Sequence, residues 1–357
     1  MDDLLSSFYS LPVFDLKHDE KRILLNNALN QLNIHHYNNC KEYRNLINAM
    51  SFKLEVSDCQ QQPYIVARLF KMLELKSISS DNIFKRLYSS GTSSENVSNI
   101  FLDGQSAKEQ SKVLSKILQE FTGKQRLPML LIDSPDIIKN KKSFSARGAG
   151  IKGLSFLGRD HTYALNSDMS INYKAIDDFL VKHSNQTILI FGFTFMIWKY
   201  LVQPLKEQGQ SLNIANSILF HSGGWKKLQT QSVDNHTFKQ FCYDILGNTR
   251  VHNFYGMVEQ TGTVYVECEH GFLHTPVFSD ILIRDIQTYR VLDNGEKGLI
   301  QLLSVLPRSY PGHSILTEDL GRIIGTDNCS CGRKGHYFHV YGRLPQSETR
   351  GCSDTYQ

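Results

Sequence analysis

The chain has 357 residues, 41% hydrophobic and 21% charged, with 39 Lys+Arg against 35 Asp+Glu for a net charge of +4. That length and balance bury a sizeable core, in one large α/β domain or two smaller ones, and exclude wholesale disorder. The charge is too weak, and too evenly spread, to argue for a nucleic-acid partner. Met1-Asp2-Asp3 lacks the basic-then-apolar layout of a signal peptide. The best apolar run, Thr187 to Trp198, is short and holds Gly and Thr, so no transmembrane segment is expected. Seven cysteines, an odd count without a secretion signal, point to reduced thiols and a cytoplasmic protein.

Residues 19–50 carry Leu24, Leu25, Ala28, Leu29 and Leu32 at helical spacing, with Asp19 and Glu20 at the start. A second helix is expected after Pro63, with Ile65, Val66, Leu69, Phe70 and Leu73 on one face. Residues 1–80 thus read as a helical layer. His35, His36 and Cys40 lie close together there, but their spacing matches no common zinc pattern. Leu87-Tyr88-Ser89-Ser90-Gly91-Thr92-Ser93-Ser94 is a loop rich in hydroxyl and backbone donors, a composition that suits phosphate, although the lysine of a Walker loop is missing. A helix over 105–122 and a buried strand from Leu127 to Ile132 follow. The glycine-rich run from Arg147 to Gly158 reads as a loop over the sheet.

From 172 onward helix and strand alternate. Helices over Tyr173–His183, up to Glu207 and over Thr237–Leu246 separate strands at Thr187–Phe191, Asn216–Phe220 and Val251–Tyr255. This is the pattern of a parallel sheet covered on both faces. Its strand ends carry Gly192, Gly223-Gly224-Trp225 and Gly256, and ligands of open α/β sheets bind at such ends. Asn253 to Gly262 reads as a strand, a glycine turn and then Glu259, a carboxylate suited to Mg²⁺. Beyond 263, strand-like runs at Thr263–Glu267, Ile281–Arg284 and Leu299–Leu303 suggest a β-rich subdomain.

These motifs, in this order, resemble the acyl-adenylate-forming enzymes, which activate a carboxylic acid with ATP as an acyl-AMP. Ser89-Ser90-Gly91-Thr92-Ser93 resembles their phosphate loop. Tyr255-Gly256-Met257-Val258-Glu259 resembles their adenine and Mg²⁺ motif. Thr317-Glu318-Asp319-Leu320-Gly321-Arg322 resembles the strand whose Asp holds the ribose, and Tyr341-Gly342-Arg343 the hinge. Within that superfamily the chain is most similar to the acyl-protein synthetases of bacterial luminescence, the long-chain fatty acid–luciferin component ligases. The resemblance covers nearly the whole chain, including Ser145-Ala146-Arg147 to Leu165 and Arg350-Gly351-Cys352-Ser353-Asp354. Phenylacetate–CoA ligases are cousins.

The resemblance implies an α/β fold, the large domain of an adenylate-forming enzyme, with a helical amino-terminal layer (1–80), an α/β nucleotide- and acyl-binding core (81–262) and a β-rich subdomain (263–340). A hinge and mobile tail (341–357) would end it, without the usual small carboxy-terminal domain of about a hundred residues. It implies ATP and Mg²⁺ as cofactors, Ser89 to Ser93, Gly223 to Trp225, Tyr255 to Met257, Glu259, Asp319 and Arg343 as nucleotide-site residues, and Glu259 and Arg343 as catalytic. Cys352, beside Arg350 in a polar tail, would be the acylated thiol. The acyl group would pass from it to a partner such as an acyl reductase. Ser94 and Glu95 stand where Gly and Lys usually follow the phosphate loop, so another group must stabilise the transition-state charge; Lys334 and Arg343 are candidates. An acyl–CoA ligase and a non-catalytic nucleotide-binding module remain alternatives. Phe191, Phe193, Phe195 and Trp198 suit either an acyl tunnel or plain core.

Cys268 and His274, with Cys329 and Cys331, supply the four soft or borderline ligands of a closed structural zinc site, with His270 or His336 as substitutes for His274.

Overall fold

The computed structural model describes residues 5–89, 97–139, 146–225 and 232–344. The chain opens with helices α1 (Ser6–Ser10), α2 (His18–Asn39) and α3 (Lys41–Ala49), and extended backbone at Cys40 separates the last two. Leu25, Ala28, Leu29 and Leu32 bury one face of α2, while Asp19 and Glu20 stand in its first turn, where carboxylates offset the unpaired N–H groups. The helix expected after Pro63 is replaced by a strand and a single turn: β1 (Ile65–Val66), then α4 (Leu69–Met72). Both residues of β1 are β-branched, and they pair in parallel with Ile315 and Leu316; Ala67 N–H adds a bond to Leu316 O at 3.0 Å. Those tertiary bonds override the helical spacing.

The hairpin β2 (Lys85–Tyr88) and β3 (Asn99–Leu102) precedes α5 (Gly104–Thr122), which starts where Asp103 Oδ1 accepts Ser106 N–H at 2.6 Å. Next come β4 (Leu127–Leu131), α6 (Asp136–Lys139), α7 (Ala146–Leu154) and β5 (Gly158–Tyr163). The loop expected from Arg147 to Gly158 is therefore mostly helix. Gly150 is there for close packing: a Cβ would lie 2.9 Å from the Phe193 ring, so the absent side chain lets α7 approach the sheet.

Then follow α8 (Tyr173–Lys182), β6 (Ile188–Phe193), α9 (Thr194–Ile197), a wide π turn at Trp198–Val202, α10 (Gln203–Glu207), β7 (Ile214–Ser222), α11 (Asn235–Leu246) and β8 (Gly247–Tyr255). Gly192 lies inside β6, paired with His221, not in a turn after it. The chain continues with β9 (Tyr265–Glu267), β10 (Leu273–His274), β11 (Ser279–Arg284), β12 (Gly298–Ser304), β13 (Ser314–Thr326) and β14 (His336–Arg343). Tyr341-Gly342-Arg343, expected as a hinge, is the end of β14, where Gly342 pairs with Leu320 and Arg343 with Asp319.

The described residues form two compact units. The first contains residues 5–118, 255–266 and 272–344. Its antiparallel sheet runs β11-β12-β13-β14-β10, with β1 parallel to β13. The amino-terminal helices are fastened to that sheet by Lys21, whose buried Nζ donates to Thr275 Oγ1 at 2.7 Å and lies 3.6 Å from Asp280 Oδ1. Burial lowers the pKa of Lys21, and Asp280 opposes that shift. The second unit contains residues 119–254 and 267–271. Its parallel sheet runs β5-β4-β6-β7-β8, and Ile190, Leu219 and Val251 pack there against Phe238 and Leu246 of α11. Among the described residues no helix is long and apolar enough to cross a membrane.

Candidate active site

Strand β8 ends at Tyr255, and a single 3₁₀ turn, Val258–Gln260, follows. This turn is held from several sides within the first unit. Gln260 Nε2 donates to Leu302 O at 3.1 Å, and Thr261 Oγ1 donates to Val258 O at 2.7 Å. Gly262 has φ +91° and lies so close to α5 that a Cβ would sit 2.7 Å from Gln110 Cα. Gly312 closes the other side: a Cβ there would lie 2.4 Å from Glu259 O and 2.3 Å from the Tyr310 ring. Glu259 emerges from this housing only 6% exposed. Burial raises its carboxyl above its ordinary value, while Ser98 and the charges of Lys71 and Arg343 pull it down.

Tyr255, Asp319 and Arg343 come together at the end of the β13–β14 ladder. Tyr255 OH donates to Asp319 Oδ2 at 2.6 Å, and Arg343 Nε lies 3.7 Å from Asp319 Oδ1. Asp319 N–H donates to Thr317 Oγ1 at 3.1 Å, which fixes the Asp319 backbone. Burial, then the Asp319 charge, raises the Tyr255 phenol well above its ordinary value, so the phenol stays a neutral donor. Gly256 and Met257 span the gap between Tyr255 and Glu259, and Met257 packs against the core of the first unit. The structure thus gathers the adenine, ribose and Mg²⁺ motif residues of the sequence into one unit.

Ser89 lies at the neck of the β2–β3 loop, where its N–H donates to Ser98 O at 3.1 Å and its Oγ accepts Ser98 N–H at 2.8 Å. Ser90, Gly91, Thr92 and Ser93 lie outside the described residues, as does Cys352. Gly223, with φ +84°, Gly224 and Trp225 follow β7 in the second unit, and Trp225 meets Trp198 edge-on at 5.4 Å. Phe191, Phe193 and Trp198 are buried, and Phe195 is half-buried. Phe191 packs on Phe193 and Phe254, and Trp198 on Phe238 and Phe241, so these aromatics build core.

Of the two lysine-replacement candidates, Lys334 is tied to its own loop, with Nζ donating to Asp327 O at 3.0 Å, whereas Arg343 reaches the site. Gly312, Tyr310 and Ser98 were not visible as site residues in the sequence. A lone glycine, tyrosine or hydroxyl on a loop or strand carries no spacing signal; only the fold sets them beside Glu259.

The cysteine and histidine expectations separate cleanly. His274, Cys329 and Cys331 bring ligand atoms within 4.8 Å of one another, with His274 Nε2 3.4 Å from Cys331 Sγ. Cys268 is buried on the connection 267–271 between β9 and β10. The substitutes are otherwise placed: His270 is exposed, and His336 Nδ1 lies 2.9 Å from Asp280 Oδ1. His36 is bound to Ser77 and Pro307, and His35 to Arg308 O, so neither joins a metal cluster with Cys40 among the described residues.

The fold is that of adenylate-forming ligases. Solved structures of 2-hydroxyisobutyryl-CoA ligase match it, one in the postadenylation state with 2-HIB-AMP at TM-score 0.69 and 12% identity, covering 93% of this chain and 69% of that one. Another, an open conformation with 2-HIB-AMP and CoA, matches at TM-score 0.69 and 14% identity, covering 93% and 77%. The chain belongs to the acyl-protein synthetase family, LuxE, whose family model matches residues 1–357. It is similar to a long-chain-fatty-acid–luciferin-component ligase of Vibrio harveyi, 24% identical over 331 residues, covering 89% of this chain and 83% of that protein. It is also similar to the ligase of the same name from Aliivibrio fischeri, 26% identical over 146 residues, covering 40% and 38%. Its activity is accordingly that of an ATP-dependent acyl ligase.

Proposed function

We propose that this protein activates a long-chain fatty acid as its acyl-AMP, receives the acyl group on Cys352 and hands it to a partner acyl reductase. The observation that carries the adenylation half is the Tyr255–Asp319–Arg343 group, with the Asp319 carboxylate held at 2.6 Å by a phenol and faced by a guanidinium. Such a carboxylate accepts two ribose hydroxyls, and the tyrosine ring offers adenine a flat surface. Ser89 to Ser93 would grip the phosphates.

The acid's carboxylate oxygen attacks the α-phosphorus, the bond to the bridging oxygen breaks, and pyrophosphate leaves. Positioning and charge neutralisation supply the catalysis, and Arg343 is the cation that faces Asp319. The buried oxygens about Glu259 are hard donors of the kind Mg²⁺ prefers, and that ion supplies charge neutralisation on the phosphates. The thiolate of Cys352 then attacks the acyl carbonyl, a thioester forms, and AMP leaves with the electron pair. Arg350, two residues away in the sequence, favours that thiolate. A cytoplasmic location is the compartment in which thiols stay reduced.

Intact mass after incubation with ATP, Mg²⁺ and fatty acids of graded length tests this reading. The wild type is expected to gain a hydroxylamine-labile acyl group, and Cys352→Ser none while keeping ATP–pyrophosphate exchange. Exchange without an adduct would move the acceptor to CoA or another protein. The absence of both, with every acid, would leave a binding module.

We further infer that His274, Cys329 and Cys331 hold a structural Zn²⁺, supplying two thiolates and one imidazole of a tetrahedral set. Metal analysis is expected to find one zinc per chain. Cys331→Ser should release it and lower the thermal midpoint, because the β13–β14 loop then loses its anchor. An unchanged midpoint with no zinc in the wild type would remove the site.

A further inference from the structure

A second group of ligand-type side chains lies in the first unit, apart from the cysteines and apart from Glu259. His18 opens α2, Asp280 lies in β11 and His336 begins β14, and their ligand atoms all fall within 4.8 Å of one another. His336 Nδ1 is 2.9 Å from Asp280 Oδ1, and His18 Nδ1 is 3.5 Å from Asp280 Oδ2. Asp280 is 3% exposed and His336 8%. His18 Nδ1 is shielded from solvent and makes no hydrogen bond among the described residues. The two imidazole rings pack with centroids 3.9 Å apart. Asp327 holds both in place. Its carboxylate accepts His18 N–H at 3.1 Å and, at 2.7 Å, the N–H of Gly335, the residue before His336.

We propose that His18, Asp280 and His336 form a site for a divalent transition metal of the Zn²⁺ or Co²⁺ class, which clamps the start of α2 to β11 and β14. The inference goes beyond the adenylating function and does not rest on it. Two imidazoles and one carboxylate are a donor set that suits borderline divalent ions. Such an ion sits about 2.1 Å from each nitrogen or oxygen, which puts the ligands of a tetrahedron about 3.4 Å apart. The observed 2.9 and 3.5 Å bracket that spacing. Because Asp327 already fixes the backbone at both histidines, little has to be ordered when the ion binds. Lys21 sets the strength of the site. Its Nζ lies 3.6 Å from Asp280 Oδ1 and repels a dication. The ion and Lys21 together bring three positive charges against the two negative charges of Asp280 and Asp327. The site is therefore weaker than the cysteine and histidine set: it fills on titration and gives up its ion in purification.

Co²⁺ titration of the full chain, followed by visible absorption and by the thermal midpoint, tests the site. The wild type is expected to take up a Co²⁺ whose spectrum lacks the thiolate-to-metal band of a cysteine site, and to melt higher with it. His18→Ala should weaken that uptake about tenfold or more and abolish the Co²⁺-induced rise, while keeping the midpoint measured without Co²⁺. Lys21→Met, which keeps the bulk and removes the charge, should tighten the uptake about tenfold in the folded variant. The His18→Ala comparison decides by itself if Lys21→Met does not fold. Equal affinity in the wild type and His18→Ala overturns the site, and so does a wild type whose Co²⁺ shows only the thiolate band. A midpoint lowered in His18→Ala by the same amount with and without Co²⁺ also overturns it, and leaves the group as an ion pair that fastens α2.

Discussion

Glu259→Gln is expected to reduce ATP–pyrophosphate exchange about a hundredfold or more, and at the same time to raise the thermal midpoint of the free protein. The first effect follows from the role proposed for that negative charge, holding the cation on the phosphates. The second follows from burial, which raises the Glu259 carboxyl in the folded state. An unfolded chain ionises this group at its ordinary value, and the folded chain ionises it only at higher pH. The contribution to stability is full below the unfolded value and is lost as pH rises through the folded one. At neutral pH the ionised carboxylate therefore weakens the fold, and the isosteric amide removes that weakness. Melting curves of the two proteins should lie furthest apart at neutral pH and converge under acid. The acid limb of the wild-type exchange profile, set by protonation of Glu259, should vanish in the variant's residual activity. A variant with wild-type exchange and a lower neutral midpoint would show that Glu259 is a structural carboxylate.

Gly312→Ala is the other large effect expected. Its Cβ would lie 2.4 Å from the Glu259 carbonyl oxygen and 2.3 Å from the ring of Tyr310, which is completely buried. Neither neighbour is the free end of a flexible chain, so the turn bearing Glu259 must move. We expect a destabilisation of about 1–3 kcal/mol, and a fall in exchange well beyond what the unfolded fraction explains. Gly104→Ala, at a position with nothing within 4 Å, is the control and should leave both properties intact. Equal behaviour of the two variants in chemical denaturation and exchange would show that the Glu259 turn tolerates displacement.

The two variants divide the site by how it becomes visible. Glu259, Tyr255 and Asp319 stand in short contiguous runs whose residue types carry their chemistry, so the sequence already singles them out. Gly312 and Ser98 are distant in sequence from Glu259, and their importance lies in what the fold sets against them. The elements behave similarly. Helix α2 and the alternation from α8 to β8 follow from periodicity, because one apolar face per helix and near-continuous apolar strands leave a direct mark on the chain. Strand β1 does not, since Ile65 and Val66 suit a helix face until β13 offers them a ladder. Helix α7 was hidden by its own glycines, which read as a loop although Gly150 serves close packing on Phe193. Tyr341-Gly342-Arg343 has the local look of a hinge, yet cross-strand bonds to β13 make it sheet.

The sequence by itself determined the family and its local motifs: a carboxylate after the β8 turn, an aspartate in the Thr317–Arg322 run, and a set of cysteines and histidines. Those are local properties, written in residue type and order. Tertiary structure alone decided the pairing of Tyr255 with Asp319, the burial that raises Glu259, and the choice of His274 over His270 and His336 beside Cys329 and Cys331. Distance and desolvation between residues far apart on the chain have no sequence period, so they become visible only when the strands are in register.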